Sequence, residues 1–231
     1  MFSKQNNKKV LIVASHPDDE VLGCGGTIAK LIKKKYKIFV YFSHEGSSSR
    51  FSNYNNSKSL SEIKKRNNMA IKCSKFLGHK IVGFENNPNL RNENFSILDN
   101  VKKITKIIDR IKPDIIITHH PDDINEDHQL SFKIVSNATR PPAKHLVKEI
   151  YLMEIPSTTD WTLRSSFKPN IFVDVSLQIK KKIDAIKLYK SEFNKYPHSR
   201  SKKNLISHSI YRGAQVGLKN VEAFELYKIV I

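Results

Sequence analysis

At 231 residues the chain is long enough for one substantial α/β domain and too short for two comfortable ones, so it reads as a single domain over 1–231. It has no apolar run able to span a bilayer, no apolar signal core at its N-terminus, and only two cysteines, outside any disulfide framework or CxxC pair; these features point to a cytoplasmic protein. The formal charge of +18 would raise the case for nucleic acid, but lysine outnumbers arginine 32 to 8 and is spread along the chain, so specific nucleic-acid readout is not expected.

The first predicted strand, 9–15, is β-branched and apolar, and it stops at His16, Pro17, Asp18, Asp19 and Glu20. Side-by-side carboxylates repel one another unless a cation or water offsets them, and a histidine and a carboxylate three residues apart suit one ion. A metal site and a simple turn in which Asp18 or Asp19 caps the next helix both fit this segment. Helical patterns at about 22–35, 58–77 and 97–112 alternate with strand-like runs at 37–43, 80–84 and 114–119, the mark of βαβ units and a parallel sheet. Cys24 reads as a small residue under the first loop and Cys73 as core. Segment 44–57 is polar, aperiodic and long, a type of loop that is usually functional or mobile.

The strand at 114–119 ends in a second cluster: His119, His120, Asp122, Asp123, Asn125, Asp127 and His128. A helix follows from 126 or 127 to about 139. Asp127 capping that helix, with the histidines satisfying a buried turn, is the structural alternative here. Both clusters lie at the carboxyl ends of predicted parallel strands, so the sheet can bring them together across more than a hundred residues. A short-spaced ligand pair plus a distant third is a common plan for catalytic zinc, with one position left open for water.

Strand-like pieces near 149–154 and 170–175, a helix near 176–193, a helix near 205–217 and an apolar run at 223–231 complete the same core and wall off the site. The lysine runs 33–35 and 180–182 fall on helical patterns and read as solvated faces. Trp161, the only tryptophan, lies in a polar segment where it could stack on a sugar ring or pack in the core.

Taken together, the motif at 16–20, the later Asp123, Asn125, Asp127 and His128, and the segments 138–141, 154–157, 197–200, 211–217 and 223–225 resemble the PIG-L/LmbE family of zinc-dependent N-acetylglucosaminyl deacetylases, nearly end to end. The resemblance implies an LmbE-like fold, a Rossmann-like three-layer α/β sandwich with a mostly parallel sheet. It implies one zinc ion per chain held by His16, Asp19 and His128, Asp18 as general base, and Arg50 reaching the substrate. The expected reaction is hydrolysis of the N-acetyl or other N-acyl group of an amino sugar or its conjugate.

Asn125 stands where many members have a histidine that steadies the oxyanion; it can donate an N–H but carries no charge. Asp127 is expected beside the ligands, orienting a histidine. Arg140, His198 and Arg200 occupy polar segments where a sugar hydroxyl or phosphate could be met, and each also reads as an ordinary surface cation. The chemical rival is a metal-dependent phosphoesterase or nuclease holding two ions on the carboxylates at 18–20 and 122–123. A homo-oligomer is left open.

Overall fold

The switch in sheet direction explains where this protein gathers its polar residues. In the computed structural model, which describes residues 7–164 and 166–231, the strands are β1 (Lys9–Ala14), β2 (Lys37–His44), β3 (Lys80–Asn87), β4 (Ile115–His119), β5 (Glu149–Met153), β6 (Ile171–Asp174) and β7 (Val221–Ile229). They form one sheet in the order β3-β2-β1-β4-β5-β7-β6. The first five run parallel, and β7 lies antiparallel between β5 and β6. The chain builds outward from β1 through β2 to β3, then returns to start again at β4 on the other side of β1. The loops after β1 and β4 therefore diverge from neighbouring strands, and a crevice opens at their carboxyl ends.

The helices are α1 (Asp19–Lys33), α2 (Ser57–Leu77), α3 (Ile97–Ile111), α4 (Glu126–Ala138), α5 (Ile179–Ile186) and α6 (Lys202–Ala214). Alternation along β1 feeds two separate cores. Val10, Ile12 and Ala14 pack with Leu22, Ile28, Cys73, Leu77 and Ile183 on one face, and Leu11 and Val13 pack with Ile104, Ile108, Ile134 and Val135 on the other. Helices cover both faces, which makes the expected three-layer α/β sandwich.

Several boundaries differ from the sequence expectation. Helix α5 stops at Ile186 instead of 193, because the turns that follow carry Tyr189 to Glu20 and Glu192 to three arginines. Helix α6 begins at Lys202, where the Ser201 hydroxyl accepts from Asn204 N at 3.2 Å. Lys182, expected on a solvated face, is buried. Helix α1 breaks at Cys24 (φ −144°), and the Lys182–Glu222 ion pair fills the break. Lys182 Nζ donates to Leu22 O at 2.7 Å, while Glu222 accepts from Gly26 N at 2.9 Å and Thr27 N at 2.6 Å. The pair thus satisfies backbone groups that the interrupted helix cannot.

Candidate metal centre and its surroundings

Where the carboxyl ends of β1 and β4 diverge, three donor atoms from distant parts of the chain form a nearly equilateral triangle. His16 Nδ1 lies 3.3 Å from Asp19 Oδ2 and 3.3 Å from His128 Nε2, and the latter two atoms are 3.3 Å apart. His16 lies in the loop after β1, Asp19 opens α1, and His128 sits in the first turn of α4. All three side chains are buried, and Asp19 Oδ1 has no hydrogen-bond partner. These three residues could hold a metal ion.

A carboxylate holds the far nitrogen of each histidine. Asp127 Oδ2 lies 2.9 Å from His16 Nε2, and the Asp127 carboxylate also accepts from the Asn89 and Asn92 amides and from Leu90 N. Asp123 Oδ2 lies 3.1 Å from His128 Nδ1 and accepts from Thr158 and Thr159, while its other oxygen accepts from Asn125 N. Each imidazole is thereby turned so that its remaining nitrogen faces the triangle. Asn125, not Asp127, caps α4: its Oδ1 accepts from Asp127 N at 2.9 Å, which leaves the Asp127 carboxylate free for His16. His119, Asp123 and His128 also lie within common reach of an ion. In that group, however, His119 Nε2 is engaged by Ser15 N at 2.8 Å and Asp123 by the donors just named.

The electrostatics follow from this packing. Burial alone would depress His16, but Asp127 and Asp19 outweigh it and raise its pKa. Burial opposes the charged form of His128 too, yet Asp19 and Asp123 carry it up to about 10. Burial would push Asp19 up, and His128 and His16 reverse that, holding it well below the ordinary carboxylate range.

Asp18 shows no side-chain cap of α1, which sets aside the simple capping role. Its backbone sits at φ 134°, a region costly for a residue with a Cβ and often found where a site constrains the chain. Its oxygens are held by Arg66 at 2.8 Å and Arg200 at 2.9 Å. Burial raises its pKa, with the two arginines pulling the other way. Glu192 ties the same arginines together and also receives Arg50.

The structure therefore brings His16, Asp18, Asp19, Asn125, Asp127, His128 and Arg200 into one neighbourhood, with Arg50 half-exposed at its edge. His198 is half-buried beside it, its Nδ1 accepting from Arg200 N at 3.0 Å. Arg140 is not part of the group. It lies exposed beyond the far end of α4, past roughly 15 Å of helix from His128, and donates to Asn137. Helical chain carries it away from the crevice.

Sequence reasoning missed Arg66, Glu192, Asn89 and the orienting role of Asp123. Arg66 did leave a signal, since it shares a helical face with Ala70, Cys73 and Leu77 and is a charge in an otherwise apolar stripe. The loop at 44–57 is rigid in its first half, where buried Glu45 accepts from Ser47 N, Ser48 N and Asn89 N.

The sequence pattern of the GlcNAc-PI de-N-acetylase family, PIG-L, matches residues 11–139, which span both clusters and every strand between them. The chain belongs to this family. Known structures of the same fold cover this PIG-L domain almost completely. N,N'-diacetylchitobiose deacetylase from Pyrococcus horikoshii is 23% identical with a TM-score of 0.73, over 97% of this chain and 87% of that one. The conserved protein TT1542 from Thermus thermophilus is 20% identical with a TM-score of 0.72, over 96% and 95%. GalB, the 4-carboxy-2-hydroxymuconate hydratase of Pseudomonas putida, is 18% identical with a TM-score of 0.75, over 97% and 98%. At these identities the likeness establishes the fold, and a hydratase on the same fold shows that chemistry must be argued from the site. Among the described residues no helix is long and apolar enough to cross a membrane.

Proposed function

We propose that this PIG-L family protein is a zinc-dependent hydrolase that removes an N-acyl group from an amino sugar or its conjugate. The observation that carries the reading is the 3.3 Å triangle of His16, Asp19 and His128. A tetrahedral ion bonded at about 2.0–2.1 Å separates its ligand atoms by about 3.3–3.4 Å, and two imidazoles with one carboxylate are a zinc donor set that leaves a fourth position open. The unpartnered Asp19 Oδ1 and the two histidines braced from behind fit the same ion.

Zinc bound there supplies Lewis acidity, which makes water a better nucleophile and an acyl carbonyl a better electrophile at neutral pH. The remaining work belongs to side chains. Asp18 accepts the proton of the attacking water and returns it to the amine, which leaves only when protonated. Arg66 on Oδ1 and Arg200 on Oδ2 fix the Asp18 carboxylate in orientation. Asn125 has its amide oxygen committed to capping α4, so only its N–H₂ remains to support the developing oxyanion. Asp127 and Asp123 keep the ligand imidazoles from rotating. Arg50, His198 and Arg200 meet the polar groups of the sugar or its conjugate.

The two-ion phosphoesterase lacks support in this geometry. Asp18 is held by arginines, Glu20 by the Tyr189 hydroxyl and Asp18 N, and Asp122 by Ser166. The test is Asp18→Asn in zinc-loaded protein offered a panel of N-acetylated sugars and conjugates. Zinc is expected to stay bound while acetate release falls at least about 10²-fold, the usual scale of a general acid–base contribution. Undiminished release, or loss of zinc along with activity, contradicts the assignment.

A further inference from the structure

Lysines that are scattered along the chain collect at one end of the fold. In a parallel sheet each crossover returns the chain to the amino edge before the next strand, so the residues just ahead of β2, β3, β4 and β5 meet there whatever their separation in sequence. Those four connections, 34–36, 78–79, 112–114 and 139–148, contain six lysines or arginines and one acid. The connections that leave β1 to β4 at the opposite edge, 15–18, 45–56, 88–96 and 120–125, contain two arginines and five acids. The metal centre lies among the second set.

Strand ends deepen the asymmetry. Lys9 and Lys37 sit side by side at the starts of β1 and β2, Lys80 opens β3, and the antiparallel β7 brings Lys228 back beside Ile150 near the start of β5. Two carboxylates at this edge are already engaged: Asp114 accepts from Lys9 N at 2.8 Å, and Glu149 accepts from Lys8 Nζ at 3.3 Å and from the Tyr151 hydroxyl. Lys112, Arg140, Lys144 and Lys148 are exposed, so the edge presents positive charge to its surroundings. Arg140, remote from the metal centre, belongs to this group.

Apolar side chains stand among the cations. Leu146, between Lys144 and Lys148, is 55% exposed, and Val230, whose N–H donates to Lys148 O at 2.8 Å, is 40% exposed. A cleft of about 450 Å³ at the same edge has Phe39, Val82 and Ile111 in its walls together with Lys80 and Arg110, and among the described residues no carboxylate lines it. A polynucleotide backbone offers aliphatic side chains no apolar contact, and its recognition draws on arginine forks and exposed stacking rings. An anionic bilayer accepts both features: lysines reach the lipid phosphates while aliphatic side chains enter the acyl boundary.

We propose that the amino edge of the sheet is a docking surface for an anionic lipid bilayer, with the metal centre on the opposite edge and facing away from it. The inference is independent of the reaction carried out at that centre.

Zinc-loaded protein is sedimented with vesicles of phosphatidylcholine containing about 30% phosphatidylglycerol, and with vesicles of phosphatidylcholine alone. The expected result is binding to the anionic vesicles only, falling steeply between about 0.1 and 0.5 M salt as the Debye length shrinks. One cation near such a surface contributes about fivefold in affinity, so Lys80→Gln, Lys144→Gln and Lys148→Gln together should weaken binding about 10²-fold. The same change at Lys58, Lys190 and Lys195, exposed in the first turn of α2 and around Glu192 on the side of the metal centre, should leave affinity within about threefold. Leu146→Asn with Val230→Asn, both at exposed positions, should weaken vesicle binding about tenfold. Circular dichroism and retained zinc check the fold of each variant. Equal losses in the two lysine triples, equal binding to the uncharged vesicles, undiminished affinity in the Leu146 and Val230 variant, or binding to mixed-sequence RNA without binding to vesicles would each overturn the docking surface.

Discussion

Asp123 should govern zinc affinity without touching the ion. Its carboxylate receives four donors: His128 Nδ1 at 3.1 Å, the Thr158 hydroxyl at 2.9 Å, the Thr159 hydroxyl at 2.5 Å, and Asn125 N at 2.9 Å. Burial would raise its pKa, but His128 beside it, with Thr159 and Asn125 N, brings it down to about 2, so it is ionised at every working pH. In Asp123→Asn the amide nitrogen must face either the three donors on the Oδ2 side or the single donor on the Oδ1 side. Toward His128 it meets an N–H that cannot turn away; flipped, it meets Asn125 N–H. Either orientation leaves a buried donor unmatched and frees the ring that presents Nε2 to the triangle. Loss of such an outer partner typically costs 10–100-fold in metal affinity, or about 1.4–2.7 kcal/mol. Competition against a chromophoric zinc chelator measures it, with circular dichroism as the check on folding. A dissociation constant within about twofold of wild type in a folded variant would refute the bracing role.

Three further outcomes follow from buried groups. His79 is buried with neither ring nitrogen partnered, and burial pulls its pKa from 6.5 down to about 4. The unfolded chain then binds the extra proton between those values, so stability falls as pH drops from 6.5 to 4, by up to about 3 kcal/mol; His79→Leu should flatten that part of the urea-denaturation profile, and an unchanged slope would count against it. Lys182→Met strands the buried Glu222 carboxylate and should cost about 3–5 kcal/mol, much of it recovered by adding Glu222→Gln; a single-variant cost below about 1 kcal/mol in urea would show that the helix break does not depend on the pair. Gly46 has φ +74°, and a Cβ there would lie 2.8 Å from His16 Cβ and 2.9 Å from Arg66 Cζ, so Gly46→Ala should lower both the melting temperature and zinc affinity; wild-type values for both would contradict the close packing.

The positions of the two histidine–carboxylate clusters were legible because each cluster interrupts a strong apolar run. A β-branched strand ending at His16, and another ending at His119 before a capped helix, mark sheet-edge loops in any parallel α/β chain. Arg140 misled because its polar setting can be read locally but the length of helix between it and His128 cannot be weighed without the fold. Arg66 and Lys182 were hidden for the opposite reason: a charged residue in a helical pattern reads as solvated unless its partner is known, and their partners, Asp18 and Glu222, lie 40 or more residues away.

What the sequence alone determined is the alternation of strands and helices and the presence of two histidine–carboxylate clusters, since local periodicity and residue chemistry are short-range properties. Tertiary structure decided the 3.3 Å triangle, the carboxylates behind each imidazole and the arginine clamp on Asp18. Those distances depend on the order in which strands pair, and strand order is set by packing of the whole chain, not by any segment of it.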